Sequence, residues 1–593
     1  MITNRIFSTT KYTALLIAVL FLSIFTSEAQ TPDSVVNKSV TVTREFQPVI
    51  TDVGKIISDP KVVEPVVEKS QPIYSDISTP INMGYSIHTL PAEELRVSST
   101  AANKGFLRLG MGLPFNSLAG FMYPVLNNKN NRLDVFLNHL GAFVDKKHSK
   151  TSAAIKYNHL FNDFDLYAGI GGSHDYFNYY GRPFAGTEPF IMSSVVNDYR
   201  DANYMYDGKT MTLYEMSGMP LDNTHWRANG TVGARSLPLA ENLIFDAALN
   251  YKIFNSKISG FSENQIHLNG LFEVPFDLSR LGMKVDIYNF GYGGNLDPEF
   301  TFPENYNLIK LNAYYKIEEL DWFLKIGAKT GISIGGAGQV LSPSADVSGQ
   351  WNAIQQYLSI YGGITGDLTV NSMYDKYDEN RYLSSHVRLT DTYTPVDAYL
   401  GVKVSPVYDL IFDVYGQYKI IGNQYFYVNR AFERITTVEG MPDNFNKVYL
   451  NRFDVVESQA NRISVGFRTS WDYKNQINLY VKGAHYIWNV KDERHPWHTP
   501  SWDIDFGANV KVGNDISVNT QFIYQDGRIA KLSDLNGTKL APVYDWNIGA
   551  SYAYRDWMSV FFRVNNILDK KYEFFRGYEV QGVNALVGAA FSF

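Results

Sequence analysis

Cysteine is absent from the 593 residues. That excludes disulfides and thiol chemistry, and with them a lipid-modified N-terminal Cys. Long apolar runs are scarce as well. Residues 12–25 (YTALLIAVLFLSIF) form one, and nothing after it could span a bilayer as a helix. Charge of one sign is also lacking: the net charge is only -7, which argues against nucleic acid as a partner.

The one apolar run follows Arg5 and Lys11 and precedes the small residues Ser27 and Ala29. It is short for a membrane anchor, so the layout predicts a secretory signal peptide over 1–29, cut after Ala29. What the chain has in abundance is aromatic residues: 41 Tyr, 37 Phe and 9 Trp. Transmembrane β-barrels need such numbers for the girdles at their two water–lipid boundaries. A secreted sugar-binding protein would use them too, so periodicity must decide.

Tyr544, Trp546, Ile548, Ala550, Tyr552 and Tyr554 alternate with Asp545, Asn547, Gly549, Ser551 and Ala553. Met558, Val560, Phe562 and Val564 share one face, with Ser559, Arg563 and Asn565 opposite. Trp502, Ile504, Phe506, Ala508, Val510 and Val512 alternate with Asp503, Asp505, Gly507, Asn509 and Lys511. Residues 396–404 and 463–471 repeat the scheme. Period-2 alternation means strands with one apolar and one polar face. Their length, roughly 10–12 residues, suits a tilted crossing of a hydrocarbon layer and exceeds the roughly 5–6 usual in soluble sheets. A sheet in lipid cannot leave an open edge, so it must close. Tight turns at Tyr473-Lys474, Gly513-Asn514 and Arg555-Asp556 alternate with long stretches near 489–500, 526–542 and 567–581, the short-turn, long-loop rhythm of outer-membrane barrels. The expected fold is therefore all-β: a transmembrane antiparallel barrel over 104–593, with about 22 strands running from 104–113 to 582–593. Trp546, Ile548, Phe562, Val564, Phe506 and Val510 should face lipid, and Asp545, Asn547, Arg563 and Asp505 the lumen.

Residues 30–103 differ. Pro32, Pro48, Pro60, Pro65, Pro72, Pro80 and Pro91 interrupt short β-prone pieces such as Val40, Thr41, Val42 and Thr43. The stretch reads as an extended periplasmic tail with little core of its own, able to dock on a partner by adding a strand or lying in a groove. Val40, Thr41, Val42, Thr43 and Phe46 are the candidate contact residues.

The C-terminus resembles the TonB-dependent outer-membrane receptors. The residues that carry the resemblance are 557–569 (WMSVFFRVNNILD), then Lys570-Lys571-Tyr572, Gly577-Tyr578 and the closing Phe591-Ser592-Phe593. The resemblance implies a barrel of about 22 strands. It makes Phe591 and Phe593 the signal by which the barrel-assembly machinery inserts the chain; Leu586 departs from that signal, which favours a polar residue there. The family also carries a folded plug domain and an energy-coupling box at its front. The tail here is too short for that plug, so the resemblance is to a receptor barrel whose plug is missing or vestigial. Residues 40–46 fit the start of a plug, a coupling box or a plain β-prone tail.

No catalytic constellation stands out, and neither enzyme activity nor a cofactor is expected. His495 and His498, with Asp492 and Glu493, are the best zinc candidates, although Pro496 and Pro500 fit a turn equally well. Asp375, Asp378 and Glu379 offer oxygens for calcium but lack a loop register and read as a solvated loop. The segment near 175–225 is rich in aromatic residues. Among them, Tyr176, Phe177, Tyr179, Tyr180, Tyr204 and Tyr206 are candidates for a ligand site, a partner surface or a lid over the lumen. The expected location is the outer membrane of a Gram-negative cell, in contact with its lipid, with the tail periplasmic and bound to a periplasmic or outer-membrane protein. Three roles remain open: a transport-related receptor, which could be an active uptake receptor with a reduced plug; a scaffold in an envelope-assembly or export complex; and a passive porin closed by loops.

Overall fold

The computed structural model describes residues 105–593 except 182–183, 186–202, 207–208, 213–221, 238–242, 259, 295–303, 336–339, 385–386, 388, 408, 434–446 and 533–535. The signal peptide expected over 1–29 and the tail expected over 30–103, with Val40, Thr41, Val42, Thr43 and Phe46, lie outside the described residues. So do residues 186–202 of the aromatic loop. Tyr204 belongs to a short hairpin, Asn203–Tyr206 with Lys209–Thr212, of which only the backbone is described.

From Phe106 onward the chain forms a closed antiparallel barrel of 22 strands. They are β1 (Phe106–Leu113), β2 (Asn116–Asn127), β3 (Asn131–Ala142), β4 (His148–Leu160), β5 (Phe164–Asn178), β6 (Asp222–Ser236), β7 (Ile244–Ser256) and β8 (Ser262–Phe276). The wall continues with β9 (Ser279–Gly293), β10 (Tyr306–Glu318), β11 (Trp322–Ile334), β12 (Leu341–Ile354), β13 (Leu358–Thr369), β14 (Thr392–Val407), β15 (Leu410–Glu433) and β16 (Lys447–Tyr473). It ends with β17 (Ile477–Val490), β18 (Trp502–Val512), β19 (Ile516–Asp526), β20 (Val543–Arg555), β21 (Met558–Asn565) and β22 (Asn584–Ser592). Each strand pairs with its chain neighbour. β1 closes the ring on β22, in register from Phe106↔Ser592 to Leu113↔Ala585. Closure leaves no backbone edge for lipid to solvate.

The faces follow the alternation in the sequence. Trp546 and Phe562 are exposed on the outer surface, while Asn547, between Trp546 and Ile548, is buried on the inner one. Exposed aromatic residues gather at both rims. Phe161, Phe276, Tyr357, Tyr473, Tyr554 and Trp557 lie in or beside the tight turns, and Trp226, Trp502 and Tyr544 lie near the opposite ends of their strands. These are the two girdles of a membrane barrel. Not all the tyrosines serve them. Tyr167, Tyr314, Tyr361, Tyr415 and Tyr480 point inward, each lying over a glycine of the neighbouring strand: Gly233, Gly282, Gly401, Gly466 and Gly507. A ring over a glycine covers backbone that the glycine leaves bare. The Tyr167 hydroxyl then donates to Asp246 and the Tyr361 hydroxyl to Asp413, both at 2.6 Å.

By the short-turn rule, the end bearing the turns 277–278, 474–476, 513–515 and 556–557 is periplasmic, and the opposite end is outer. The rule is not strict here: the outer connections 114–115 and 143–147 are short too. β15 and β16 depart most from expectation. At 24 and 27 residues they run far past the length a hydrocarbon layer requires. Their outer halves stand above the barrel wall, where Phe184–Ala185 adds a short strand against Val448 and Tyr449.

Candidate functional site

The outer mouth is the most constructed part of the molecule. The loop between β13 and β14, residues 370–391, carries the single helix among the described residues, α1 (Met373–Glu379). Its sequence explains its start. Ser372 is the N-cap: its hydroxyl accepts from the Asp375 N–H (3.2 Å) and donates to the Asp375 carboxylate (2.7 Å). The two N–H groups that Ser372 cannot reach find their acceptor five strands along the wall. Met373 and Tyr374 donate to the two oxygens of Glu263, at the outer end of β8, at 2.8 and 3.1 Å. The N–H groups of Met373, Tyr374 and Asp375 are thereby satisfied.

The helix is held from both sides of the barrel. Asp378 meets Lys150 of β4 (2.9 Å) and Arg227 of β6 (3.0 Å), and Asp375 meets Lys252 of β7 (3.4 Å). Toward the β15 extension, the Lys376 ammonium donates to Glu379 (2.6 Å) and to the Tyr425 hydroxyl (2.7 Å), and Glu379 accepts from Tyr425 and Tyr427 (2.8 and 2.7 Å). The loop is rooted between β13 and β14 and touches β4 to β8, so it crosses the mouth. Its neck is tied as well. Thr390 donates twice to Glu457 (2.7 Å each), and Asp391 accepts from the Asn371 N–H (3.0 Å). Burial holds the Asp391 carboxyl above the ordinary carboxylate range.

An aromatic core sits over this framework. Phe177, Tyr179, Phe254, Phe261, Tyr377, Tyr382, Tyr427, Phe453, Phe575 and Tyr578 belong to one buried cluster. Tyr382 stacks on Tyr578 with centroids 3.6 Å apart. The cluster draws in the last outer loop, 566–583, and the start of the β5–β6 loop. Tyr180 donates to the Glu579 carbonyl (2.9 Å), and the Asn451 amide to the carbonyls of Tyr179 (3.1 Å) and Gly181 (2.8 Å).

Of the aromatic residues singled out in the sequence, Phe177, Tyr179 and Tyr180 therefore belong to the cap. Tyr176 lies apart from it, bonded to Asp222 (2.9 Å). The side chains of Tyr204 and Tyr206 are outside the description. Asp375, Asp378 and Glu379 were expected in a solvated loop; within that loop they lie on a helix, where Asp375 and Asp378 are exposed but pair with wall cations, and Glu379 is buried against Lys376 and two tyrosines. The zinc candidates do not converge. Asp492 bonds Ser458 and Gln459; Glu493 bonds Lys531 and the Trp497 indole. His498 is buried. Its Nδ1 donates to the Tyr427 carbonyl (2.7 Å), and its Nε2 accepts from the Arg576 N–H (3.2 Å). No group of three or more metal-type ligands occurs among the described residues. Phe591 and Phe593 end the closing strand, Phe593 exposed and stacked at 6.1 Å on Tyr123. Leu586 is buried opposite Arg563.

No family model matches the chain, and no curated protein matches it in sequence. Solved structures do match. The ferric enterobactin receptor of Pseudomonas aeruginosa superposes with a TM-score of 0.57 at 12% identity, over 83% of this chain and 81% of the receptor. A siderophore receptor of Acinetobacter baumannii gives 0.60 at 11%, over 84% and 81%. A copper transporter gives 0.55 at 13%, over 83% and 80%. The barrel has the fold of the TonB-dependent outer-membrane receptors. At these identities the likeness is one of architecture, and the capped mouth has to be interpreted from its own residues.

Proposed function

We propose that the chain is an outer-membrane barrel of receptor type that stands closed at its outer face and works by binding, as a scaffold within an envelope-assembly or export complex, rather than as a passive pore. The observation that carries this reading is loop 370–391. It reaches across to strands β4 to β8 and is fastened there through Lys150, Arg227, Lys252 and Glu263. A porin needs an aqueous path, and a 22-strand barrel is wide enough to leak unless it is filled. A loop secured by a buried aromatic cluster suits lasting closure better than frequent passage of solute. Active uptake through a reduced plug is the second reading, favoured by the receptor fold. In either case the signal peptide 1–29 directs export, Phe591 and Phe593 mark the barrel for insertion, and the tail 30–103 grips a periplasmic protein.

The test is purification in mild detergent with and without residues 30–103. The scaffold reading expects a stoichiometric protein partner that truncation removes, while the barrel stays folded by heat-modifiable gel mobility. Retention of every partner by the truncated barrel contradicts the role given to the tail. Absence of any partner from the full chain contradicts the scaffold.

A further inference from the structure

Beneath α1 the lumen wall opens into a hollow of about 540 Å³, in the size range of small-molecule sites. Its floor is made by glycines. β5 carries Gly169, Gly171 and Gly172 in succession around Ile170. Ile170 is 65% exposed on the lipid side, so alternation turns Gly169 and Gly171 inward. A Cβ at Gly169 would meet nothing closer than 3.7 Å, and none of the three has a left-handed φ. Crowding accounts for Gly171 and Gly172, where a Cβ would meet Asn229 Oδ1 at 3.0 Å and the Arg227 carbonyl at 3.2 Å, but neither crowding nor turn geometry accounts for Gly169. Glycine inside a strand weakens it and marks places where a ligand or another backbone comes close.

The sides of the hollow are cationic. Lys150, Lys156, Arg227 and Arg235 line it. Asp378 serves both Lys150 and Arg227, and Asp165 serves Arg235 at 2.7 Å. Four cations thus share two carboxylates. Lys156 has no ion pair among the described residues and lies 5.4 Å from the Phe136 ring centroid. Arg227 is 4% exposed. One of its terminal nitrogens is 3.0 Å from Asp378 without hydrogen-bond alignment, and Nε and Nη2 have no hydrogen-bond partner among the described residues. A buried guanidinium with unmet donors is costly, and its fork matches the oxygens of a phosphate or carboxylate.

We infer that this hollow binds a small polyanion bearing phosphate or carboxylate groups, held by Lys156 and Arg227 over the bare backbone of Gly169. Such an anion competes with Asp378, in the roof, for Lys150 and Arg227. The inference is independent of the scaffold reading, since a barrel without any protein partner would carry the same site.

The test is calorimetric titration of inorganic pyrophosphate, and separately of citrate, into the full-length protein in non-ionic detergent at low salt. Saturable binding of at least one is expected, weakening as salt rises. Lys156→Gln should weaken it tenfold or more, and Gly169→Leu, which fills the floor, should abolish it. Among the described residues no hydrogen bond or ion pair joins either to loop 370–391, so both report on the site without loosening the cap. Lys284→Gln, at a lumen lysine on β9 paired with Asp286, should change nothing. Folding of each variant is checked by heat-modifiable mobility. The inference is overturned if wild type binds neither anion, or if Lys156→Gln and Gly169→Leu, both folded, bind within twofold of wild type.

Discussion

Replacing Glu263 by Ala removes the acceptor for two helix N–H groups at once. The Met373 N–H is enclosed, because that residue is 2% exposed, whereas Tyr374 is only partly buried. An enclosed donor left unsatisfied costs about 1–3 kcal/mol. The second donor costs less, because water can reach it. The docked state of loop 370–391 should therefore lose about 2–4 kcal/mol, while the wall pairing of β8 with β7 and β9 is untouched. At about 1.4 kcal/mol per decade, the open population rises roughly 30- to 1000-fold. Hydrogen exchange read by mass spectrometry on peptides covering 370–391 measures this directly. Ser372→Ala, which removes only the cap hydroxyl, should speed exchange less, in keeping with about 0.5–2 kcal/mol for an N-cap. Unchanged protection in Glu263→Ala, with the barrel folded, would refute the latch.

Ile548→Arg places a charge on the lipid face, between Thr520 and Val564 of the flanking strands, at a cost of about 2–4 kcal/mol near the midplane; its level in the outer membrane should fall, and a normal level would contradict the register. His498 supplies a pH dependence. Burial holds its imidazole down at about 4, against an ordinary 6.5, so the folded loop prefers the neutral ring, and protonation of Nε2 would oppose the Arg576 N–H. The contribution is complete above about pH 6.5 and is lost as pH falls through about 4. Limited proteolysis of loop 566–583 should accelerate between pH 6.5 and pH 4 in wild type, and His498→Gln should flatten the response. Tyr377→Ala empties a fully buried ring site in the cap and should destabilise docking by about 3–5 kcal/mol, seen as faster exchange across 370–391.

The barrel was legible in the sequence because membrane strands must alternate, and each of the 22 expected spans overlaps an observed strand. The outer halves of β15 and β16 were not. The first continues to Glu433 and the second begins at Lys447, well before the alternation seen over 463–471. Above the membrane both faces of the pair are covered by loops, so alternation disappears: Phe426, Tyr427 and Val428 are consecutive and all buried. The cap was legible only in fragments. Phe177, Tyr179 and Tyr180 signalled that aromatic side chains near 175–225 had to pack against something. The acids of α1 read as solvated because their partners are remote; Lys150 and Asp378 are 228 residues apart, and nothing local announces such a pairing.

If the barrel's own loop closes its outer mouth, conductance across a planar lipid bilayer reads that closure. Purified full-length protein should insert without a steady open-channel current, and a variant with residues 371–390 replaced by a short Gly-Ser linker should conduct as a wide, steady pore. A large steady current through the wild-type barrel, or a folded deletion variant as silent as wild type, would contradict it.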